Sequence, residues 1–361
     1  MNIRRRIGIA IMVSVSLTAG MPLSAQETVN EDQEWQRVNE CTKRAVSYLL
    51  SQQKEDGSIV ENNRNHTTIT AFAIMGMLSV GHKPTDQTPE GLALRKALAY
   101  VLRPDRQEDN GYFGERDGSR MYGQGIIALM LAEVMGMGVD DEQDRLIRLK
   151  LQKAIDLILR AQAVKKDSPQ EEGGWRYNPN STDTDLSVSS WHLMALRAAN
   201  NAGIKVPKEA IDKGVGYVKR CFHWENDAKK TGFFCYRPNE NNMRFGSSAG
   251  GFLAMQICGY YDAPEVKAAA DYYLNYNIPS LQDKEHYYYG LYYYSQGMFQ
   301  QGGAYAKQAQ KVVRELLMGR QIQDGSWPLG PADEQGGKVY VTSLSLLSLS
   351  IHYHFLPIYQ R

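Results

Sequence analysis

The segment STDTDLSVSSW, Ser181 to Trp191, sets two carboxylates, Asp183 and Asp185, directly before an apolar stretch. Two readings apply. Ser, Thr and Asp at such a place are what a helix start requires, because their oxygens accept bonds from the unpaired amides of the first turn. Carboxylates there are also candidates for catalysis or ligand contact. On a helix beginning near Asp185, Ser189 and His192 follow at four and seven residues and share its face. That Asp, Ser and His stripe is a candidate cavity lining, with core hydrogen bonding of His192 as the competing account.

Other candidate groups are spread along the chain. Arg64, His66, Arg120, Arg244, Lys284, His286 and Lys338 all stand where an apolar segment begins. Helix N-termini opening together with such side chains would attract an anion; the alternative is a set of solvated turn residues. The run HYYYGLYYYSQGMF, His286 to Phe299, includes Tyr288 and Tyr292. Tyrosine faces stack on sugars or stabilise cations, and they also pack cores.

These groups must be positioned by a repeat. Six times a Gly-rich turn is followed by an apolar segment of helical length, and the best preserved turns are QKEDGSI from Gln53 and QIQDGSW from Gln321. Looser turns begin at Gln107, Glu171 and Lys229, with a degenerate one before Tyr287. Segments preceding the turns space apolar residues three and four apart among charges, as in Leu151, Ala154, Ile155 and Ile158. Such helices have one buried stripe and one wet face. Segments following the turns, such as TTITAFAIMGML from Thr67, lack a charged face and are buried on both sides. The expectation is an all-α fold, an α6/α6 toroid with an outer and an inner ring around a central cavity. An open solenoid would need polar caps at its ends, and VTSLSLLSLSIHYHFL near the C-terminus is not one.

Residues 26–361 are expected to form one toroid domain, because no Pro/Ser-rich linker interrupts the repeats. Residues 1–25 carry Arg4 to Arg6, an apolar run and a small-residue site ending at Ala25, which is the layout of a secretory signal peptide. The protein is therefore expected to be exported, periplasmic or extracellular, without a membrane span. Lys plus Arg number 41 against 40 Asp plus Glu, for a net charge of +1, which gives no reason to expect nucleic acid or an anionic membrane as partner. Of four cysteines, Cys221 and Cys235 flank one turn and are open to a disulfide, while Cys41 and Cys258 read as small buried hydrophobes. No CxxC pair exists, and neither metal nor cofactor is expected.

The turns QKEDGSI and QIQDGSW resemble the Gln/Trp repeat of squalene and oxidosqualene cyclases and the related turns of protein prenyltransferase β-subunits, over essentially the whole mature chain. The resemblance implies a toroid whose inner helices enclose an apolar cavity for an isoprenoid. Asp183-Thr184-Asp185 is similar to the first three positions of the cyclase Asp-x-Asp-Asp motif, which would make Asp185 the general acid with Asp183 bonded to it; the helix-face spacing adds His192 as a third catalytic candidate. Leu186 holds the fourth position, so the acidic cluster is incomplete. Against the prenyltransferase zinc site, Asp185 fits the carboxylate ligand, but Ser187 stands at the thiolate position and Val341 near the histidine position. The expected function is an exported cyclase-like toroid that binds a lipid, glycan or other anionic ligand in its central cavity through Arg64, His66, Arg120, Arg244, Lys338, Tyr288 and Tyr292. A cyclase-type enzyme using Asp185 is the first alternative and a glycan lyase on a similar toroid the second.

Overall fold

A computed structural model describes residues 23–61, 64–226, 230–333, 336–353 and 355–360. The expected leader, 1–25, lies outside these except for its last three residues, which belong to the first helix. The chain divides into two compact units. The first, through Glu40, contributes the N-terminal part of α1 (Leu23–Ser51), and the second runs from Cys41 to Arg361.

Within the second unit the helices alternate in character. The end of α1 is followed by α2 (His66–Ser79), α3 (Pro89–Val101), the one-turn α4 (Gly114–Asp117), α5 (Arg120–Glu133), α6 (Asp141–Gln162), α7 (Leu186–Asn201) and α8 (Lys208–Arg220). A hairpin of β1 (Phe222–Asn226) and β2 (Thr231–Phe234) precedes α9 (Phe245–Ile257), α10 (Pro264–Asn275), α11 (Tyr287–Gln301), α12 (Gly303–Met318) and α13 (Gly337–Leu349). Each of α2, α5, α7, α9, α11 and α13 packs on the next, and α13 packs on α2, closing an inner ring. These helices are buried almost all the way round, as their uncharged faces require. The remaining long helices carry one buried stripe and form the outer ring.

The repeat turn works as a tether. In four turns the glutamine amide donates to the carbonyl of its own turn glycine and to a carbonyl on the next outer helix. Gln53 reaches Gly57 at 3.1 Å and Ala93 at 2.8 Å; Gln107 reaches Gly111 and Lys150; Gln162 reaches Gly173 and Ala210. Gln321 bonds Gly325 at 2.8 Å and Cys41 at 2.9 Å, which ties the last outer helix to the first. Each turn glycine has φ near +90° and sits so close to that next helix that a Cβ would lie 2.1–2.3 Å from the carbonyl of Lys96, Lys153, Lys213 or Arg44. Positive φ and close approach both demand glycine. Asp56 and Asp324 accept the amides of Ser58 and Ser326 within the turn. The indole N–H of Trp175 and Trp327 donates to Ile158 and Leu317 of the preceding outer helix, each at 2.8 Å.

The turn also fixes the inner helix. The amides of Ile59, Phe113, Trp175 and Phe234 donate to Thr70, Gln124, Ser189 and Ser248 respectively. Those four side chains define a common register. Four residues earlier stand His66, Arg120, Asp185 and Arg244, all at helix starts; two residues later stand Phe72, Ile126, Trp191 and Gly250.

Two features depart from the sequence-based expectation. Of the turn expected from Lys229, a residue that lies outside the described ones, Thr231 to Phe234 form β2 of the hairpin; of the two outcomes left open for Cys221 and Cys235, the structure has both as free thiols, with the Cys235 amide on the Cys221 carbonyl. The middle of the inner ring is filled. Trp191 has no exposed surface, stacks on Tyr292 at 5.8 Å and 11°, meets Phe72 edge-on at 5.6 Å, and touches Tyr293 at 5.4 Å. Phe72, Tyr292 and Tyr293 are likewise buried, so packed aromatic rings take the place of an open central cavity. Below them the chain end tucks in: the Tyr359 and Tyr292 hydroxyls bond, Gln300 donates to the Tyr359 carbonyl, and the Ile358 amide donates to Glu133.

Candidate functional site

Asp185 is the N-cap of α7. Its Oδ1 accepts the Val188 amide at 2.9 Å and the Ser187 hydroxyl at 2.7 Å, and its Oδ2 accepts from Tyr236 Oη at 3.1 Å and faces Arg176 at 3.3 Å. The carboxylate has no solvent exposure. Burial raises its pKa, outweighing the opposing effects of the Val188 amide, Ser187, Arg176 and Tyr236. Asp183 does not bond Asp185; it is part-exposed and pairs with Arg176 at 3.4 Å and Arg237 at 3.6 Å. Arg237 also holds Glu171 at 3.0 Å, and Glu171 bonds Thr184.

Around this cap lies an aromatic face at the N-terminal mouth of the ring. The rings of Tyr122, from the first turn of α5, and Tyr177 stack at 5.8 Å and 28°. Tyr177 and Tyr236 join hydroxyls at 2.6 Å, and Tyr122 bonds Ser187. The Arg176 guanidinium sits 4.5 Å from the Tyr177 ring centre, and Arg244 4.6 Å from that of Tyr236. Tyr122, Tyr177, Tyr236 and, on α13, Tyr340 are each half-buried. Burial raises the pKa of Tyr122 and Tyr236, and the charge of Asp185 pushes the same way, so both stay protonated hydrogen-bond donors.

The remaining sequence candidates are scattered by the fold. His192 is fully buried on the outer side of α7, where it stacks on Trp175 at 5.4 Å and its Nδ1–H donates to the Val188 carbonyl at 2.8 Å. Burial depresses its pKa to about 4, against the opposing pull of that carbonyl, so the ring is neutral. The Asp, Ser and His face of α7 thus points toward the outer layer rather than the ring centre. His66, Arg120 and Arg244 share the register of Asp185 at the mouth. Arg120 and Arg244 are exposed and make no ion pair among the described residues. Arg64 precedes α2 and is exposed. Lys338 pairs with Asp324 at 3.3 Å, and its amide donates to Glu61. Tyr288 is buried beside Tyr287, and Tyr292 belongs to the central stack.

Sequence reading passed over Arg176, Tyr122, Tyr177 and Tyr236, which lie in separate stretches of the chain and meet only through the closed ring. It also passed over Asp117 of α4, whose carboxylate takes the amides of Thr67 and Thr68 and so caps α2 from the next repeat.

No protein-family model and no curated relative matches the chain. Solved structures do. The α-1,6-mannanase GH76A of Salegentibacter sp. HEL1_6 superposes with a TM-score of 0.62 at 10% identity, over 88% of this chain and 99% of that one. A doubly substituted, inactive variant of the same enzyme, in complex with α-1,6-mannotriose, gives 0.62 at 10% identity over 87% and 99%. The type II terpene cyclase MstE of Scytonema, as an arginine-to-alanine variant with its substrate geranylgeranyl dihydroxybenzoate, gives 0.54 at 15% identity over 90% and 99%. These likenesses establish the α/α toroid fold, which glycoside hydrolases and terpene cyclases share, and go no further at such identities.

Proposed function

We propose that the N-terminal mouth of the inner ring binds an acidic oligosaccharide without cleaving it. The observation that carries this reading is the half-buried tyrosine face of Tyr122, Tyr177, Tyr236 and Tyr340, with Arg244 over the Tyr236 ring and Arg120 in the same helix-start register, both cations free of ion pairs among the described residues. Tyrosine rings offer flat surface and hydroxyl donors to a sugar, and exposed guanidinium groups take a carboxylate or sulfate in a forked pair. The solved mannanase variant is a toroid of this fold in complex with an oligosaccharide.

The chemistry of the carboxylates argues for binding over hydrolysis. Glycosidases place two carboxyl groups on either side of an open site, about 5–10 Å apart. Here Asp185 has no exposed surface and Asp183 is held by two arginines. A lyase would need a tyrosine that gives up its proton readily, whereas burial raises Tyr122 and Tyr236. The terpene-cyclase reading keeps one observation in its favour, the raised pKa of Asp185, which a general acid needs. It would also require an isoprenoid to displace the packed rings of Trp191 and Tyr292.

Calorimetric titration with an acidic trisaccharide such as trigalacturonate, beside neutral α-1,6-mannotriose, tests the proposal. Binding of the acidic sugar, weakened about tenfold or more by Tyr177→Ala and by Arg244→Ala, is the expected result. No binding of either sugar, or binding indifferent to both variants, would sink it, and release of unsaturated product would convert the assignment to a lyase.

A further inference from the structure

The opposite end of the ring holds a cavity of about 570 Å³ between the C-terminal ends of α5 and α7 and the first turns of α6. That volume lies within the range of small-molecule sites. Its wall includes Glu133, Met135, Met137 and Pro357, and its rim includes Arg145 and Arg148.

The chemistry of the lining is polarised. Met135, Met137 and the methyl groups of Ala132, Ala198 and Ala202 make an adaptable apolar wall. Glu133 is almost completely buried, and the one bond it is seen to accept is the Ile358 amide at 3.2 Å. Burial pushes its pKa up to about 8 despite that amide, so at neutral pH it is a carboxylic acid that can donate as well as accept. Arg145 is exposed and makes no ion pair among the described residues, while Arg148 reaches the Gly203 carbonyl at 3.4 Å. Asp144, also in the lining, accepts the Gly138 amide at 2.8 Å. With Glu133 uncharged, two guanidinium groups face one carboxylate and the rim is net positive. Beside it, Leu146 and Leu149 are 36% and 53% exposed, each next in sequence to one of the two arginines, and Val139, just before α6, is 49% exposed. Apolar side chains left in water next to a cationic rim suit a ligand that is itself half apolar.

We infer that this cavity binds a single-chain anionic amphiphile, with its carboxylate or phosphate on Arg145 and Arg148 and its alkyl chain along Met135 and Met137. The site lies at the far end of the ring from the tyrosine mouth and does not depend on the function proposed for it.

The test uses the intact protein and decanoate below its micelle concentration, with decyltrimethylammonium as the cationic control and anionic phospholipid vesicles as a separate arm. Calorimetry is expected to show saturable binding of decanoate and none of the cation. Affinity should fall about tenfold or more in an Arg145→Glu, Arg148→Glu double variant and be lost in Ala202→Trp, which fills the cavity from its rim. Circular dichroism checks that both variants are folded; the arginines are exposed, so the double variant keeps the test decisive if the tryptophan variant fails to fold. Equal binding of anion and cation, or decanoate binding untouched by the arginine reversals, would overturn the inference. Binding to vesicles that the reversals abolish, without binding of free decanoate, would overturn the cavity as the seat and leave only a surface contact of the exposed leucines.

Discussion

Replacing Asp185 separates its structural work from any proton chemistry, because asparagine preserves one and removes the other. In Asp185→Ala the α7 start loses its cap, at about 1 kcal/mol. The hydroxyls of Ser187 and Tyr236 lose their acceptor, at about 1 kcal/mol each. Arg176, whose side chain is 18% exposed, keeps Asp183 at 3.4 Å but loses its buried partner, at about 1 kcal/mol more. These groups form one network, so the costs do not add fully, and about 3 kcal/mol is expected. Asparagine is as good a cap as aspartate, and its carbonyl can still accept from Val188 and Ser187. Asp185→Asn therefore loses mainly the pairing with Arg176, at about 1 kcal/mol. Urea unfolding followed by far-UV circular dichroism and tryptophan fluorescence measures both. The reasoning fails if alanine costs less than about 1 kcal/mol, or if asparagine costs as much as alanine. The same Asp185→Asn protein should bind the acidic trisaccharide within about threefold of the parent, because the side chain is sealed from ligand; a loss of tenfold or more would restore Asp185 to the site.

Other perturbations probe the rest of the frame. Trp191→Ala should cost about 3–5 kcal/mol and leave an apolar hole that takes up indole, seen as a melting temperature restored by indole in the variant and unchanged by it in the parent. His192 is depressed to about 4 in the fold against about 6.5 in the unfolded chain. Between these values the unfolded chain binds more protons, so stability falls as pH drops from about 6.5 to 4, by up to about 3 kcal/mol; His192→Gln should flatten that limb in urea titrations. Glu133 has the opposite sign: raised to about 8, it binds its proton more tightly in the fold. Its contribution falls as pH rises from about 4.5 to 8, and Glu133→Gln should remove that decline. Gly325→Ala and Gly259→Ala make a matched pair, since both glycines have φ of +90° but only at Gly325 does a Cβ meet a backbone, the Arg44 carbonyl at 2.3 Å. Gly259→Ala should cost about 1 kcal/mol and Gly325→Ala clearly more; equal costs would refute the close-approach argument.

Much of this frame was legible in the sequence. Uncharged segments such as TTITAFAIMGML, set against amphipathic ones such as that from Leu151 to Ile158, give the two rings, because burial on two faces and on one leave different patterns. The DGS turns were legible as turns, but not as tethers. Nothing in the local pattern around Gln53 and Gln321 points to a distant partner, yet their amides cross to Ala93 and Cys41, 40 and 280 residues away. Asp185 was legible as a cap because capping is local. The tyrosine mouth was not, since Tyr122, Tyr177 and Tyr236 belong to separate repeats and carry no shared spacing. The hairpin β1–β2 was missed because its strands are short and stand where the repeat pattern led one to expect a turn.

The register that turns impose on the inner helices also explains why the ring centre is closed. The residue two places after each turn-bonded side chain is Phe72, Ile126, Trp191 or Gly250. Where all such positions were small, the parallel helices would leave a channel along the axis. Here Phe72 and Trp191 meet edge-on, and Gly250 leaves room for the neighbouring wall: a Cβ there would lie 3.5 Å from the Tyr293 ring and 3.2 Å from the Ser190 hydroxyl. Gly250 is the one small residue among these four, and the tyrosines of α11 fill what it vacates. A ring whose axis is filled in this way leaves its two ends, rather than its centre, to ligands. The N-terminal end carries half-buried tyrosines and arginines, and the C-terminal end carries methionines, arginines and an uncharged buried acid. The two ends are joined through packed rings, from Tyr122 and Ser187 at the mouth by way of Tyr289, Trp191 and Tyr292 to Tyr359 and its neighbour Ile358 on Glu133. The Trp191→Ala cavity cuts that stack at its middle, so trisaccharide and decanoate titrations on this one variant, each with the other ligand present and absent, would reveal whether the ends act independently.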